Sequence, residues 1–242
     1  MKKTLIAIAL AAMMAPAWGA EVVSSNIVGY QKVTLQPGFN FVAPQFTAVG
    51  GGDLNLQSIR LDVSDNDATG TDNIQILNAA GATVATYYWM PSDMVESGVA
   101  GWVDGDDLAD VSIANGYSVL VDSEEVESVT VAGEVKPSKS YIVAQDGFNF
   151  VGNSTPVPIS LQDIQIDVAD ADAQGTDNIQ ILDADGATVA TYYWMPSDMV
   201  DSGVAGWVDG DDLADVELAP GQGVLLDTTT GVTISLPTAI NE

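Results

Sequence analysis

Apolar and polar residues alternate along much of this chain. Ile59, Leu61 and Val63 alternate with Arg60 and Asp62, and Ile164, Ile166 and Val168 alternate with Gln165 and Asp167. A period of two belongs to a strand with one buried face. Residues 74–77 and 83–89 flank Asn78-Ala79-Ala80-Gly81, a loop of hairpin length with glycine where a positive φ is expected. Residues 117–121 and 126–131 read as two more strands, and 91–98 as a loop with one helical turn capped by Ser92. Short strands spaced by turn residues predict an all-β fold of sandwich type.

The pattern occurs twice. Thr71-Asp72-Asn73-Ile74-Gln75-Ile76-Leu77 returns 105 residues later as Thr176-Asp177-Asn178-Ile179-Gln180-Ile181-Leu182. Between 71–111 and 176–216 only three positions differ: Asn78/Asp183, Ala80/Asp185 and Glu96/Asp201. Upstream, Gly38-Phe39-Asn40-Phe41-Val42 returns as Gly147-Phe148-Asn149-Phe150-Val151 at an offset of 109, with the extra residues falling in Val49-Gly50-Gly51-Gly52. Each copy of about 105 residues has room for seven or eight strands. The expected organisation is two tandem homologous β-sandwich-like domains, 20–135 with an additional N-terminal strand and 136–242, behind a signal peptide at 1–19.

The signal reading rests on Lys2 and Lys3, the apolar run 5–15 and the small-x-small pattern of Ala17-Trp18-Gly19. No later run approaches the ~20 apolar residues of a membrane-spanning helix. Cysteine is absent, which excludes a disulfide framework and a lipid-anchored cysteine. Past the signal, Lys32, Arg60, Lys136 and Lys139 face 34 acids, a formal charge of −30. Such a surface repels nucleic acid and anionic lipid and attracts cations. Histidine is absent too, and with it the commonest general base and transition-metal ligand.

Gly-Phe-Asn-Phe-Val in each copy, Gly101-Trp102-Val103-Asp104 after the hairpin, and Ala219-Pro220-Gly221-Gln222-Gly223-Val224-Leu225-Leu226 in the second copy carry a resemblance. The chain resembles the exported tandem β-modules of verrucomicrobial-type surface proteins, and is similar to secreted β-modules of Bacteroidetes surface proteins. That resemblance implies export and an extracellular or cell-surface role, and it brings no active site with it. The first copy departs from the closing motif with Ala114-Asn115-Gly116-Tyr117.

Three constellations bear on chemistry. Asp62, Asp65, Asp67 and Asp72 lie around Gly70, and Asp167, Asp170, Asp172 and Asp177 around Gly175. Asp-x-Asp-x-x-Gly-x-Asp resembles half of a Ca²⁺ loop, in which alternating carboxylates supply oxygens and glycine permits the turn. The twelfth position from Asp65 is Ile76, so the bidentate acid of an EF-hand is missing; the alternative is that these acids solvate turns. Tyr88 and Trp102, with Tyr193 and Trp207, are candidates for stacking on a glycan; the alternative is core packing or a subunit contact. Serine nucleophiles lack a histidine partner, no carboxylate pair stands out, and no phosphate loop precedes a helix, so no enzyme is expected. The strands are too short for an outer-membrane barrel.

A tandem duplication also raises self-association. A domain-to-domain contact repeated between chains without closing generates a filament. The β-forming stretch with Val22, Val23, Ile27, Val28 and Tyr30 is a candidate for strand addition to a neighbour's sheet; the alternative is pairing within its own domain. The expectation that leads is a secreted structural subunit of an extracellular filament, surface layer or matrix, supported by Ca²⁺. The alternative is a monomeric extracellular module that binds a glycan or calcium.

Overall fold

The structure, a computed structural model, describes residues 28–136 and 139–238. The expected signal peptide and Val22, Val23 and Ile27 lie outside the described residues. The fold is all-β, and among the described residues the only helices are single 3₁₀ turns. Repeat 1 contains β1 (Val28–Thr34), β2 (Gly38–Val42), β3 (Leu54–Asn55), β4 (Ile59–Leu61), β5 (Asn73–Leu77), β6 (Thr83–Met90), β7 (Gly101–Asp104), β8 (Asp107–Leu108), β9 (Ser112–Ile113), β10 (Val119–Ser123) and β11 (Ser128–Glu134). Repeat 2 contains β12 (Ser140–Ala144), β13 (Gly147–Gly152), β14 (Ile159–Ser160), β15 (Gln165–Ile166), β16 (Asn178–Leu182), β17 (Thr188–Met195), β18 (Gly206–Asp209), β19 (Asp212–Leu213), β20 (Glu217–Leu218), β21 (Gly223–Thr228) and β22 (Val232–Leu236). Each repeat thus has eleven strands rather than seven or eight, because two-residue stubs such as β3, β8 and β9 leave no periodic trace in the sequence.

Each repeat is a sandwich. In repeat 1 a six-stranded sheet, β2-β10-β5-β6-β7-β8, faces a three-stranded sheet, β1-β11-β4; repeat 2 duplicates this as β13-β21-β16-β17-β18-β19 over β12-β22-β15. All pairings are antiparallel. The register sorts the side chains. Ile74 opposes Tyr87, and Trp89 opposes Trp102, so these residues share the inner face with Val42, Val119 and Val121. They meet Val129, Val131, Ile59 and Leu61 of the smaller sheet in one core. Trp89 and Trp102 pack edge to face with centroids 5.1 Å apart and planes at 72°, and Trp194 and Trp207 repeat this geometry. Burying one indole removes some 200 Å² from water, roughly 5 kcal/mol as an upper figure.

One polar side chain completes this core. The Gln57 amide donates to the carbonyls of Trp102 and Ala109 at 2.6 and 3.0 Å and accepts from the Trp102 N–H at 3.1 Å. Gln162 does the same for Trp207 and Ala214. A buried backbone group without a partner is costly, and the glutamine supplies partners where no strand can. The single-turn helix at Ser92–Met94 has Pro91, not Ser92, at its N-cap; the Ser92 side chain instead donates to Asp65.

The repeats join through a pseudo-two-fold contact. The Phe39 N–H donates to the carbonyl of Ala184 at 2.7 Å, and Phe148 donates to Ala79 at 2.8 Å. Ala43 donates to Gly221 at 2.8 Å and Gly152 to Gly116 at 3.2 Å. Val42 bridges Gln222 and Val151 bridges Tyr117. Phe41 and Phe150 stack face to face between them, 5.4 Å apart at 4°. Each repeat therefore presents its sheet edge, β2 or β13, to the hairpin and closing loop of the other.

The Gly-Phe-Asn-Phe-Val motif is the instrument of this contact. Gly38 and Gly147 each hold φ at +95°, and a Cβ there would lie 2.4 Å from the other repeat's hairpin carbonyl. Asn40 accepts from the Gln36 N–H at 2.8 Å and donates to the Gln36 carbonyl at 2.7 Å, closing the turn before the strand; Asn149 does the same with Gln145. The first phenylalanine covers the opposite hairpin glycine, the second stacks on its counterpart, and valine enters the core.

Four strand edges are covered or cut short. The edge of β1 carries the repeat 2 closing loop, with Gln31 donating to the Pro220 carbonyl. On β12 Asn115 donates to Ser140 and the Tyr117 hydroxyl donates to the Val143 carbonyl. The far edges, β8 and β19, are two-residue stubs bearing aspartate. Val28 and Tyr30 are exposed, yet β1 pairs along its length with β11 of its own repeat. Val28 and Tyr30, two of the residues expected to donate a strand to a neighbour, thus form one within their own repeat.

A double-mutant cycle checks the pseudo-two-fold. Phe41→Leu and Phe150→Leu are expected to couple by about 1 kcal/mol in equilibrium unfolding. Strict additivity would show that the stack does not hold the repeats together.

Candidate ligand-binding grooves at the repeat interface

The two sheets touch at both ends of each exchanged edge and part between those ends. The gap on one side of the pseudo-two-fold, groove A, has a volume of about 540 Å³. It is bounded by the β5–β6 hairpin and closing loop of repeat 1 and by β13 of repeat 2. Groove B, its counterpart, measures about 350 Å³ and lies between the repeat 2 hairpin and β2.

Groove A has no carboxylate, lysine or arginine in its lining, although the chain carries 34 acids. Its polar atoms come from amides and hydroxyls, notably Gln75, Asn78, Gln145, Asn149, Tyr117 and Ser112, and its apolar walls from Ile76, Leu120, Phe148 and Phe150. Several of these polar groups are committed. Gln75 donates to Asn73 and accepts from Thr83; Asn149 closes its own turn. The Asn78 Oδ1 accepts the N–H groups of Ala80 and Ala82, which turns its Nδ2 away from the loop and leaves it unspent. The Gln145 side chain is exposed and makes no bond to protein.

The stacking candidates separate by face. Tyr88 opposes Asn73 and Val103 on the outer face of the six-stranded sheet, the face that bears Gln75 and Leu120 of groove A. Tyr88 and Tyr193 are each 42 % exposed. Trp102 and Trp207 are fully buried, and their ring N–H groups donate to the carbonyls of Ile59 and Ile164. The reading of Trp102 and Trp207 as ligand-stacking residues is therefore wrong: the strand pair places them opposite Trp89 and Trp194, inside the core. The grooves themselves escape the sequence, because they form where residues far apart in the chain meet, about 70 positions in groove A and about 145 in groove B.

The aspartates expected to gather round a cation serve other donors. Asp62 pairs with Lys32. Asp65 accepts from the Ser92 N–H and hydroxyl, and Asp170 from those of Ser197. Asp67 accepts from Ser64. Asp72 and Asp177 are buried and accept from the N–H groups of Glu124 and Thr229. Asp167 and Asp172 are exposed. Among the described residues no three acidic side chains converge on one centre. Asp65 and Asp170 reach across 27 residues to pin the Pro91 and Pro196 loops.

No protein-family model, no curated protein and no solved structure matches the chain. The site is read from its own chemistry.

Two carboxyls make the electrostatics testable with opposite signs. The Ser197 hydroxyl, then its N–H, hold Asp170 below its ordinary pKa. Burial, then Asp72 and Glu125, push Glu127 up. A depressed carboxyl stabilises the fold above its unfolded pKa and loses that contribution as pH falls through the folded value; a raised one opposes folding at neutral pH and ceases to do so once both states are protonated. Asp170→Asn should therefore lower the melting temperature at neutral pH and Glu127→Gln should raise it. Both differences should shrink towards zero in thermal melts taken below pH ~3. A pH-independent difference would refute the assignment.

Proposed function

We propose that the protein is an exported module that binds neutral glycans, seating a sugar in groove A and extending it along the outer sheet face towards Tyr88. The observation that carries this reading is the uncharged, amide-rich and aromatic lining of groove A in a chain of charge −28. A pyranose offers hydroxyls to amides such as Gln145 and Asn78 and C–H faces to rings such as Tyr88, and it requires no ion. Cations would settle elsewhere on so acidic a surface. Export rests on the N-terminal pattern and on the resemblance to secreted β-modules.

A structural subunit of a filament or matrix is the second reading. It draws on the duplication and on the β-forming N-terminal stretch. Against it stands the contact between the repeats, which is isologous: each repeat uses the same patch, so the contact closes on itself and leaves no copy free to propagate. The protected edges point the same way.

Calorimetric titration of the full chain with neutral hexasaccharides of glucose, mannose and N-acetylglucosamine tests the proposal. At least one is expected to bind. Gln145→Ala and Tyr88→Ala should each weaken it about fivefold, the worth of roughly 1 kcal/mol, without changing the melting temperature. Absence of heat with every sugar at millimolar concentration would overturn it. Sedimentation velocity, with and without calcium, is expected to show monomers; polymers would put the structural reading first.

A further inference from the structure

The two grooves occupy equivalent places on the two repeats, and among the differences between their linings one sits at a single hairpin atom. Of the three substitutions that separate 71–111 from 176–216, two fall in the hairpins that border the grooves, Asn78/Asp183 and Ala80/Asp185. Both hairpins are built alike. The Asn78 Oδ1 accepts from Ala80 and Ala82 at 3.0 and 3.0 Å, and the Asp183 Oδ1 accepts from Asp185 and Ala187 at 3.0 and 2.9 Å. The backbone donors fix which atom is left over. In groove A it is an amide nitrogen, a donor. In groove B it is a carboxylate oxygen, an acceptor with a charge. Asp183 is the single charged residue of the groove B lining. Asp185, exposed on the same hairpin, adds a second negative charge where repeat 1 has Ala80.

We infer that groove B is a second saccharide site selective for a cationic amino sugar, a glucosamine-type unit whose ammonium donates to the free Asp183 oxygen, while groove A takes a neutral residue. This rests on the glycan-binding reading. The smaller volume, about 350 Å³, suits a single sugar unit, and Gln36 and Gln222 lie beside Asp183 in the lining to take its hydroxyls. An ammonium is the group that an acceptor-only, charged position selects; a neutral hydroxyl or acetamide gains less from it. A charge-assisted hydrogen bond of this kind is worth about tenfold in affinity or more.

The test titrates the full chain with glucosamine tetrasaccharide and with its fully N-acetylated counterpart at physiological salt. The variants are Asp183→Asn, Asn78→Asp and, as a control remote from both grooves, Asp104→Asn. Asp183→Asn is expected to weaken glucosamine binding about tenfold and leave the acetylated sugar untouched. Asn78→Asp should raise the number of glucosamine sites from one to two. Equal small losses with Asp183→Asn and Asp104→Asn would mean diffuse attraction to an acidic surface, and would overturn the inference. Binding of the acetylated sugar without any preference for glucosamine would leave the glycan reading standing and remove this one. Binding of neither sugar, nor of the neutral hexasaccharides, would remove both.

Discussion

The fold depends on the reciprocal covering of two sheet edges. An isolated repeat would expose β2 along its whole length, with unpaired N–H and C=O groups beside two phenylalanines. Such an edge recruits another chain. Here the other repeat supplies the hairpin carbonyl of Ala184 at one end and that of Gly221 at the other, and Phe150 lies on Phe41 between them. The same contact viewed from repeat 2 satisfies β13. Because the two ends are pinned and the middle is propped open by stacked rings, grooves form on both sides. Edge protection, repeat docking and the candidate sites are one geometric fact.

Much of each sandwich was legible in the sequence. Alternation at Ile59–Leu61 located β4, and the hairpin between β5 and β6 fell where expected. The contact between repeats was not legible. Gly-Phe-Asn-Phe-Val reads as an ordinary strand opening, and nothing local says that its glycine makes room for a carbonyl from a hairpin nearly 150 positions away. Trp102 failed for a related reason. Its place in β7 is a matter of pairing with Trp89, and a four-residue strand carries too little alternation to reveal which face is inside.

The aspartates of the two glycine-centred turns take local partners. A run with oxygen ligands at short intervals invites a cation only if the chain bends round a point. Here Gly70 and Gly175 turn the chain, but the carboxylates disperse to a lysine, to serines and to backbone N–H groups. Much of the acidity thus does local work at loop junctions, where a carboxylate can hold both an N–H and a hydroxyl. Glu127 marks the opposing cost, since burial, and after it Asp72 and Glu125, make it bind its proton more tightly. Against this background an uncharged groove is the departure that calls for a cause.

Duplication within one chain supplies a freedom that a homodimer lacks. Two identical subunits about a two-fold axis must present identical grooves, so a change that suits one ligand is imposed on both sites. Fusing the copies keeps the geometry, since the scaffold from β5 to β8 hardly differs from that between β16 and β19. It also releases each groove to change alone. Asn78 and Asp183 make the same two loop bonds and differ only in what they offer to a visitor. Tyr117 and Gln222, and Ser118 and Gly223, diverge at the same margin while Gln57, Gln162 and the buried tryptophans stay fixed. Outside that block the copies diverge widely, across 43–70 against 152–175 and 122–134 against 227–236, so what they share most closely is the stretch from β5 to β8 that builds the tryptophan core.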